Sequence, residues 1–155
     1  MDTMAPIRPA VHRARRITLP AGPASAGEAR RLVRAAIRAW EVPVDPDVAI
    51  LLTSELMTNA IANETGETIL LAISCAYGQL HVDVHDTSPS LPVPAEALAV
   101  DAEAGRGLML VASLSTTWGF YPTPTGKAVY FTLAFRASPG GGVAGSPQGV
   151  RSYVW

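Results

Sequence analysis

The sequence predicts an α+β domain in which a mainly antiparallel sheet carries its helices on one face. Three observations predict it. Two stretches with helical spacing of apolar residues come first, near 25–40 and 45–63. Two hairpin-like stretches follow, near 68–86 and 118–135, with apolar residues at every second position. A short apolar helix after Gly107 separates the hairpins. Helix, helix, hairpin, helix, hairpin has none of the strict strand–helix alternation that builds a parallel sheet.

Each element has its own signal. Residues 1–16 are rich in Pro, Ala and Arg without periodicity and are expected to form a flexible tail; Ile17 to Leu19 suit a short edge strand ending at Pro20. The first helix is expected to open at Ser25, with Glu28 three residues on as a capping box. Ala29, Leu32, Val33, Ala36, Ile37 and Trp40 share one face, four arginines take the others, and Pro43 marks the end. The second helix has Asp45 as its cap and Pro46 at its first position, where the missing N–H costs nothing. It runs to Asn63 and is apolar nearly all round, which predicts a helix buried in the domain. Its polar exceptions, Glu55, Asn59 and Asn63, are spaced four apart and fall on one stripe.

Beyond Gly66 the pattern changes to strands. Thr68–Tyr77 is rich in β-formers, Gly78-Gln79 is a turn signal, and Leu80–Asp86 alternates: Leu80, Val82 and Val84 on one face, His81, Asp83 and His85 on the other. Asp86 has the parity of the apolar set, so its carboxylate is expected on the core side. Residues 87–104 read as irregular. Trp118–Tyr121 and Ala128–Phe135 are the closing strands, the second with Val129, Phe131, Leu133 and Phe135 in phase. The Gly/Ser/Pro-rich 137–155 reads as a flexible tail, leaving 17–136 as a single domain.

Composition narrows the function classes. Of 155 residues, 48% are hydrophobic and 16% charged, which suits a globular core. A formal net charge of −1 offers nothing that would draw nucleic acid or an acidic membrane surface, so neither is expected as a partner. One cysteine, Cys75, excludes an internal disulfide and fits a cytoplasmic location. The longest apolar stretch is Ile69 to Ala76, interrupted by Ser74, against the ~20 residues that span a bilayer.

Three polar signals stand out. Glu55 and Asn59, inside an otherwise apolar helix, need partners. An arginine for Glu55 and a backbone group for Asn59 would suffice singly, but together the two suit a Mg²⁺ site, since Mg²⁺ takes hard oxygen ligands and completes its shell with water and phosphate. Asp86 reads either as a structural cap or ion-pair member, or as the acceptor for the exocyclic amine of adenine. Gly105-Arg106-Gly107-Leu108 lacks the third glycine of a dinucleotide fingerprint and the Lys-Ser/Thr of a P-loop; it remains a turn opening a helix, where free N–H groups attract phosphate.

In this order the signals resemble the GHKL (histidine-kinase-like) ATPase superfamily over about 18–135. Ser54-Glu55-Leu56-Met57-Thr58-Asn59-Ala60-Ile61 resembles its asparagine-containing box, and Val84-His85-Asp86-Thr87-Ser88-Pro89 a degenerate first glycine box. Gly105-Arg106-Gly107-Leu108-Met109-Leu110-Val111 is similar to the second glycine box. The likeness extends to the small stand-alone anti-sigma-factor serine kinases of actinobacterial type. It implies Glu55 as general base, Asn59 as Mg²⁺ ligand, Asp86 as adenine acceptor and Gly105, Arg106, Gly107 and Leu108 as the phosphate turn, with ATP and Mg²⁺ as cofactors. It further implies a sigma factor and a STAS-type anti-sigma antagonist as partners, and a homodimer. A nucleotide-gated protein-binding module with weak catalysis is the alternative. Asn63-Glu64 stands where the branch usually has His followed by Ala or Gly, a departure that bears on catalysis. Ala128 replaces a common Thr and is expected to remove a hydroxyl near the adenine end.

Overall fold

The computed structural model describes residues 12–63, 66–88 and 109–135. They form strand β1 (Arg13–Pro20), helices α1 (Ala24–Ala39) and α2 (Pro46–Asn63), and strands β2 (Thr68–Ala76), β3 (Gln79–Asp86), β4 (Thr117–Thr123) and β5 (Gly126–Ala134). Residues 109–114 are helical. The strands make one antiparallel sheet in the order β1-β2-β3-β5-β4, and α2 packs across β3 and β5 while α1 packs on α2 and β2. The α+β class read from the sequence is the one observed.

Pleating divides the sheet cleanly. Leu19, Ile69, Leu71, Ile73, Leu80, Val82, Val84, Trp118, Phe120, Val129, Phe131 and Leu133 are buried in the core shared with the helices. The opposite face carries Arg16, Thr18, Ala72, His81, Asp83, His85, Tyr121 and Tyr130, which the strand register aligns in cross-strand rows. No helix of the described residues is long and apolar enough to cross a membrane.

Several local expectations are corrected. The edge strand starts at Arg13 rather than Ile17, so 13–16 belong to the sheet and not to the tail. Eight consecutive pairs with β2 explain it, because backbone pairing needs no apolar pattern. The capping box does not form: α1 starts at Ala24 behind Pro23, without a side-chain cap. Ser25 Oγ instead donates to the Pro20 carbonyl at 2.5 Å, and Glu28 pairs with Arg31 one turn on. α1 stops before Pro43, at a left-handed Glu41 (φ 53°). There Val42 N–H bonds the Ile37 carbonyl and Glu41 N–H the Arg38 carbonyl, a Schellman closure with the usual glycine replaced. The first hairpin turns at Tyr77-Gly78, one residue early, both with positive φ (53° and 75°) as a two-residue type I′ connection requires.

The cap of α2 is as expected, with Asp45 Oδ1 accepting from Asp47 N–H at 2.9 Å. Its burial is not. Ala49, Leu52, Thr53, Leu56, Met57 and Ala60 are buried, but Leu51 is 39% exposed and Glu55, Thr58 and Asn59 lie along the same open or half-open side. An all-round apolar helix therefore buries one face only, and its polar stripe is turned away from the core.

Candidate functional site

The stripe on α2 follows directly from helical spacing. Glu55 and Asn59 are one turn apart, both half-buried, on the side of the helix that the core leaves uncovered. Among the described residues Glu55 makes no ion pair, so the arginine partner that would make it merely structural is not found. Two arginines of α1 reach α2 elsewhere: Arg30 donates to Ser54 Oγ at 3.3 Å, and Arg34 lies 3.8 Å from Asp47 Oδ1. A carboxylate and an amide oxygen on one helical stripe form a hard-oxygen donor set of the kind Mg²⁺ accepts, an ion that completes its shell with water and phosphate.

Asp86 closes β3 on the helix-facing side, as its parity requires, and is 2% exposed. Among the described residues, Lys127 and Ser88 hold it. Lys127 Nζ lies 3.0 Å from each carboxylate oxygen, and Ser88 N–H donates to Oδ1 at 2.9 Å. Lys127 is 1% exposed, an unusual burial for a lysine that only a paired carboxylate makes tolerable. The pair follows from register: Asp86 and Lys127 are direct cross-strand partners at the open ends of β3 and β5. Gly126 belongs to the same junction. A Cβ there would stand 2.0 Å from the Asp86 carbonyl oxygen and 2.6 Å from Thr87 Cα, so only glycine lets the turn close on β3.

The structural and nucleotide readings of Asp86 are thus not exclusive. It is an ion-pair member and cap, and it remains a buried carboxylate at the strand end beneath α2. Lys127 was not singled out by sequence reasoning, although a signal existed. It has the parity of Val129, Phe131 and Leu133, as Asp86 has that of Leu80, Val82 and Val84. Ala128 is corrected by the same register: it pairs with His85 and Tyr121, and so faces away from Asp86. A hydroxyl there would not project to the side on which Asp86 lies. Gly105, Arg106, Gly107 and Leu108, and the Asn63 side chain, lie outside the described residues.

The helix-free face holds a second polar cluster. Asp83 accepts from Tyr121 O–H at 2.6 Å, pairs closely with His81 Nε2, and has His85 Nε2 at 3.7 Å. His81 stacks on Tyr130, with ring centroids 5.0 Å apart. Burial alone would raise the Asp83 pKa; the bonds from His81, His85 and Tyr121 outweigh it and hold the carboxyl well below the usual range. Burial, and then the bond to this carboxylate, pushes the Tyr121 phenol far up.

A depressed carboxyl contributes stability that is present above its unfolded pKa of about 3.9 and is lost as pH falls through the folded value. Asp83→Asn is therefore expected to cost about 1–3 kcal/mol at pH 7. The gap from wild type in urea midpoint should close progressively below pH 4. A gap that stays constant down to pH 2 would show that the charge of Asp83 is not what stabilises the cluster.

No curated protein matches the chain. A family model described as the histidine kinase-like ATPase domain matches residues 19–133, which takes in α1, α2, strands β2 to β4, β5 up to its penultimate residue, the last two residues of β1, the α2 stripe and the Asp86–Lys127 junction. The match agrees with a five-stranded antiparallel sheet covered by helices on one face, and family membership implies an ATP site. The chain belongs to the histidine kinase-like ATPase domain family.

Proposed function

We propose that the protein is an ATP-dependent anti-sigma regulator: a serine/threonine kinase that phosphorylates a STAS-type antagonist and, while the antagonist is modified, holds a sigma factor. The observation that carries the proposal is the half-exposed α2 stripe. It offers a carboxylate without an ion pair among the described residues, one turn from an amide, in a domain of an ATPase family.

In this reading Glu55 accepts the proton of the acceptor serine or threonine hydroxyl as its oxygen bonds the γ-phosphorus; the bond to the β-phosphate oxygen breaks and ADP leaves. Asn59 would be the ligand to Mg²⁺, which neutralises charge on the phosphate oxygens when bound. Asp86, fixed by Lys127 and Ser88, accepts the adenine amine, and Gly105 to Leu108 supply backbone N–H groups to phosphate. The working form is a cytoplasmic homodimer.

The test is transfer of label from γ-labelled Mg-ATP to a STAS-domain protein of the same cell. Labelling of a serine or threonine is the expected result. No transfer, combined with ATP-dependent binding of that protein, would replace the kinase by the nucleotide-gated binding module.

Asn59→Ala is expected to leave the melting temperature of the nucleotide-free protein close to wild type, because the residue is half-buried and outside the apolar core. It should remove most of the Mg²⁺-dependent part of ATP affinity. A lowered apo melting temperature with unchanged Mg²⁺ dependence would make Asn59 structural.

A further inference from the structure

On the face of the sheet opposite the helices, Ala72 is a small residue set among large polar and aromatic ones. Cross-strand rows place Arg16, Ala72 and Asp83 side by side, and next to them Thr18, Leu70 and His85. Ala72 leaves a hollow between the guanidinium of Arg16 and the carboxylate of Asp83. The only carboxylate among the strand residues of this face is already engaged by His81, His85 and Tyr121. Arg16 makes no hydrogen bond or ion pair among the described residues.

Two cavities open here, of about 230 Å³ and about 410 Å³, and both are lined by Arg16 and His85. The larger is walled by the hydroxyl-bearing Thr18, Thr68, Thr87, Thr123 and Thr125 with Leu70 and Pro124, and among the described residues its one acid is Asp86, which is committed to Lys127. An unpaired guanidinium beside an imidazole and several hydroxyls matches a tetrahedral oxyanion, which offers acceptors in several directions and gains most from a planar fork of donors. The threonine-lined volume is larger than one phosphate group needs, and its wall sets threonine hydroxyls among more apolar surface, including Leu70 and Pro124, which suits an organic part beside the phosphate.

We propose that the helix-free face carries a second ligand site, for a small phosphate monoester, with the phosphate on Arg16 and His85 and the organic part in the threonine-lined cavity. Asp86 lines the larger cavity, but its side chain is directed to the opposite, helix-facing side of β3, and a nucleotide held by that carboxylate would approach from there. The proposal does not rest on kinase activity.

The test is calorimetry on the full chain saturated with Mg²⁺ and a non-hydrolysable ATP analogue, titrated with glycerol phosphate and with inorganic phosphate. Glycerol phosphate is expected to bind, and to bind roughly tenfold more tightly than inorganic phosphate. Arg16→Gln should weaken it at least tenfold with the apo melting temperature unchanged, since Arg16 is exposed on an edge strand. Arg16→Lys should retain part of the affinity, and Thr123→Ala should weaken the monoester more than inorganic phosphate. No heat with the wild type, an unaffected Arg16→Gln, or loss of binding on adding the ATP analogue would each overturn the site. Equal affinity for the two probes would overturn the monoester assignment.

Discussion

Exchanging Lys127 for methionine is expected to destabilise the domain by about 3–5 kcal/mol at neutral pH, because it leaves the buried Asp86 carboxylate without its counter-ion. Shape is nearly kept, so lost packing contributes little to the effect. Asp86→Asn should cost a comparable amount for the converse reason, a stranded ammonium 1% exposed. The double variant removes both charges and should be more stable than either single one, a coupling that a denaturation cycle measures directly.

Nucleotide binding separates the two residues. If Asp86 accepts the adenine amine, Asp86→Asn loses a charge-assisted bond worth about 1.5–3 kcal/mol, on the order of ten- to hundredfold in ATP affinity. Lys127→Met, measured below its lowered midpoint, should keep the preference for ATP over GTP, since the acceptor is still present. An Asp86→Asn protein that binds ATP as tightly as wild type would leave the pair with a purely structural role.

Glu55→Gln is expected to reduce phosphoryl transfer by roughly 10²–10⁴-fold while Mg-ATP and partner binding persist. Glutamine keeps the length and the hydrogen-bonding reach of the side chain and cannot take a proton. The residue is half-buried and makes no ion pair among the described residues, so the substitution should leave the urea midpoint close to wild type. This separates loss of a base from loss of a fold. Transfer that survives the substitution undiminished would remove Glu55 from the chemistry and move the base elsewhere.

Periodicity made a good part of the site legible. The parity of Asp86 with Leu80, Val82 and Val84 placed its carboxylate on the core side, and the structure finds it there at 2% exposure. Spacing of four put Glu55 and Asn59 on one stripe of α2. Capping was read correctly where the side chain had no competitor, at Asp45. It was misread at Ser25, where the Pro20–Pro23 turn brings a carbonyl within reach of the hydroxyl. Hydrophobicity misjudged α2: composition says that an apolar helix should be covered, and only packing against α1, β3 and β5 decides which side is.

By itself the sequence determined the fold class, the two faces of each strand and the stripe that carries Glu55 and Asn59, because these follow from local periods of 2 and 3.6 residues. Tertiary structure alone decided that Asp86 meets Lys127, 41 residues further along, and that Ala128 turns its back on them. It alone left Arg16 without a hydrogen bond or ion pair among the described residues, across the hollow at Ala72. Parity tells which face a side chain takes, whereas the partner it finds there depends on strand order and register, and those are fixed by the packing of the whole sheet against its helices.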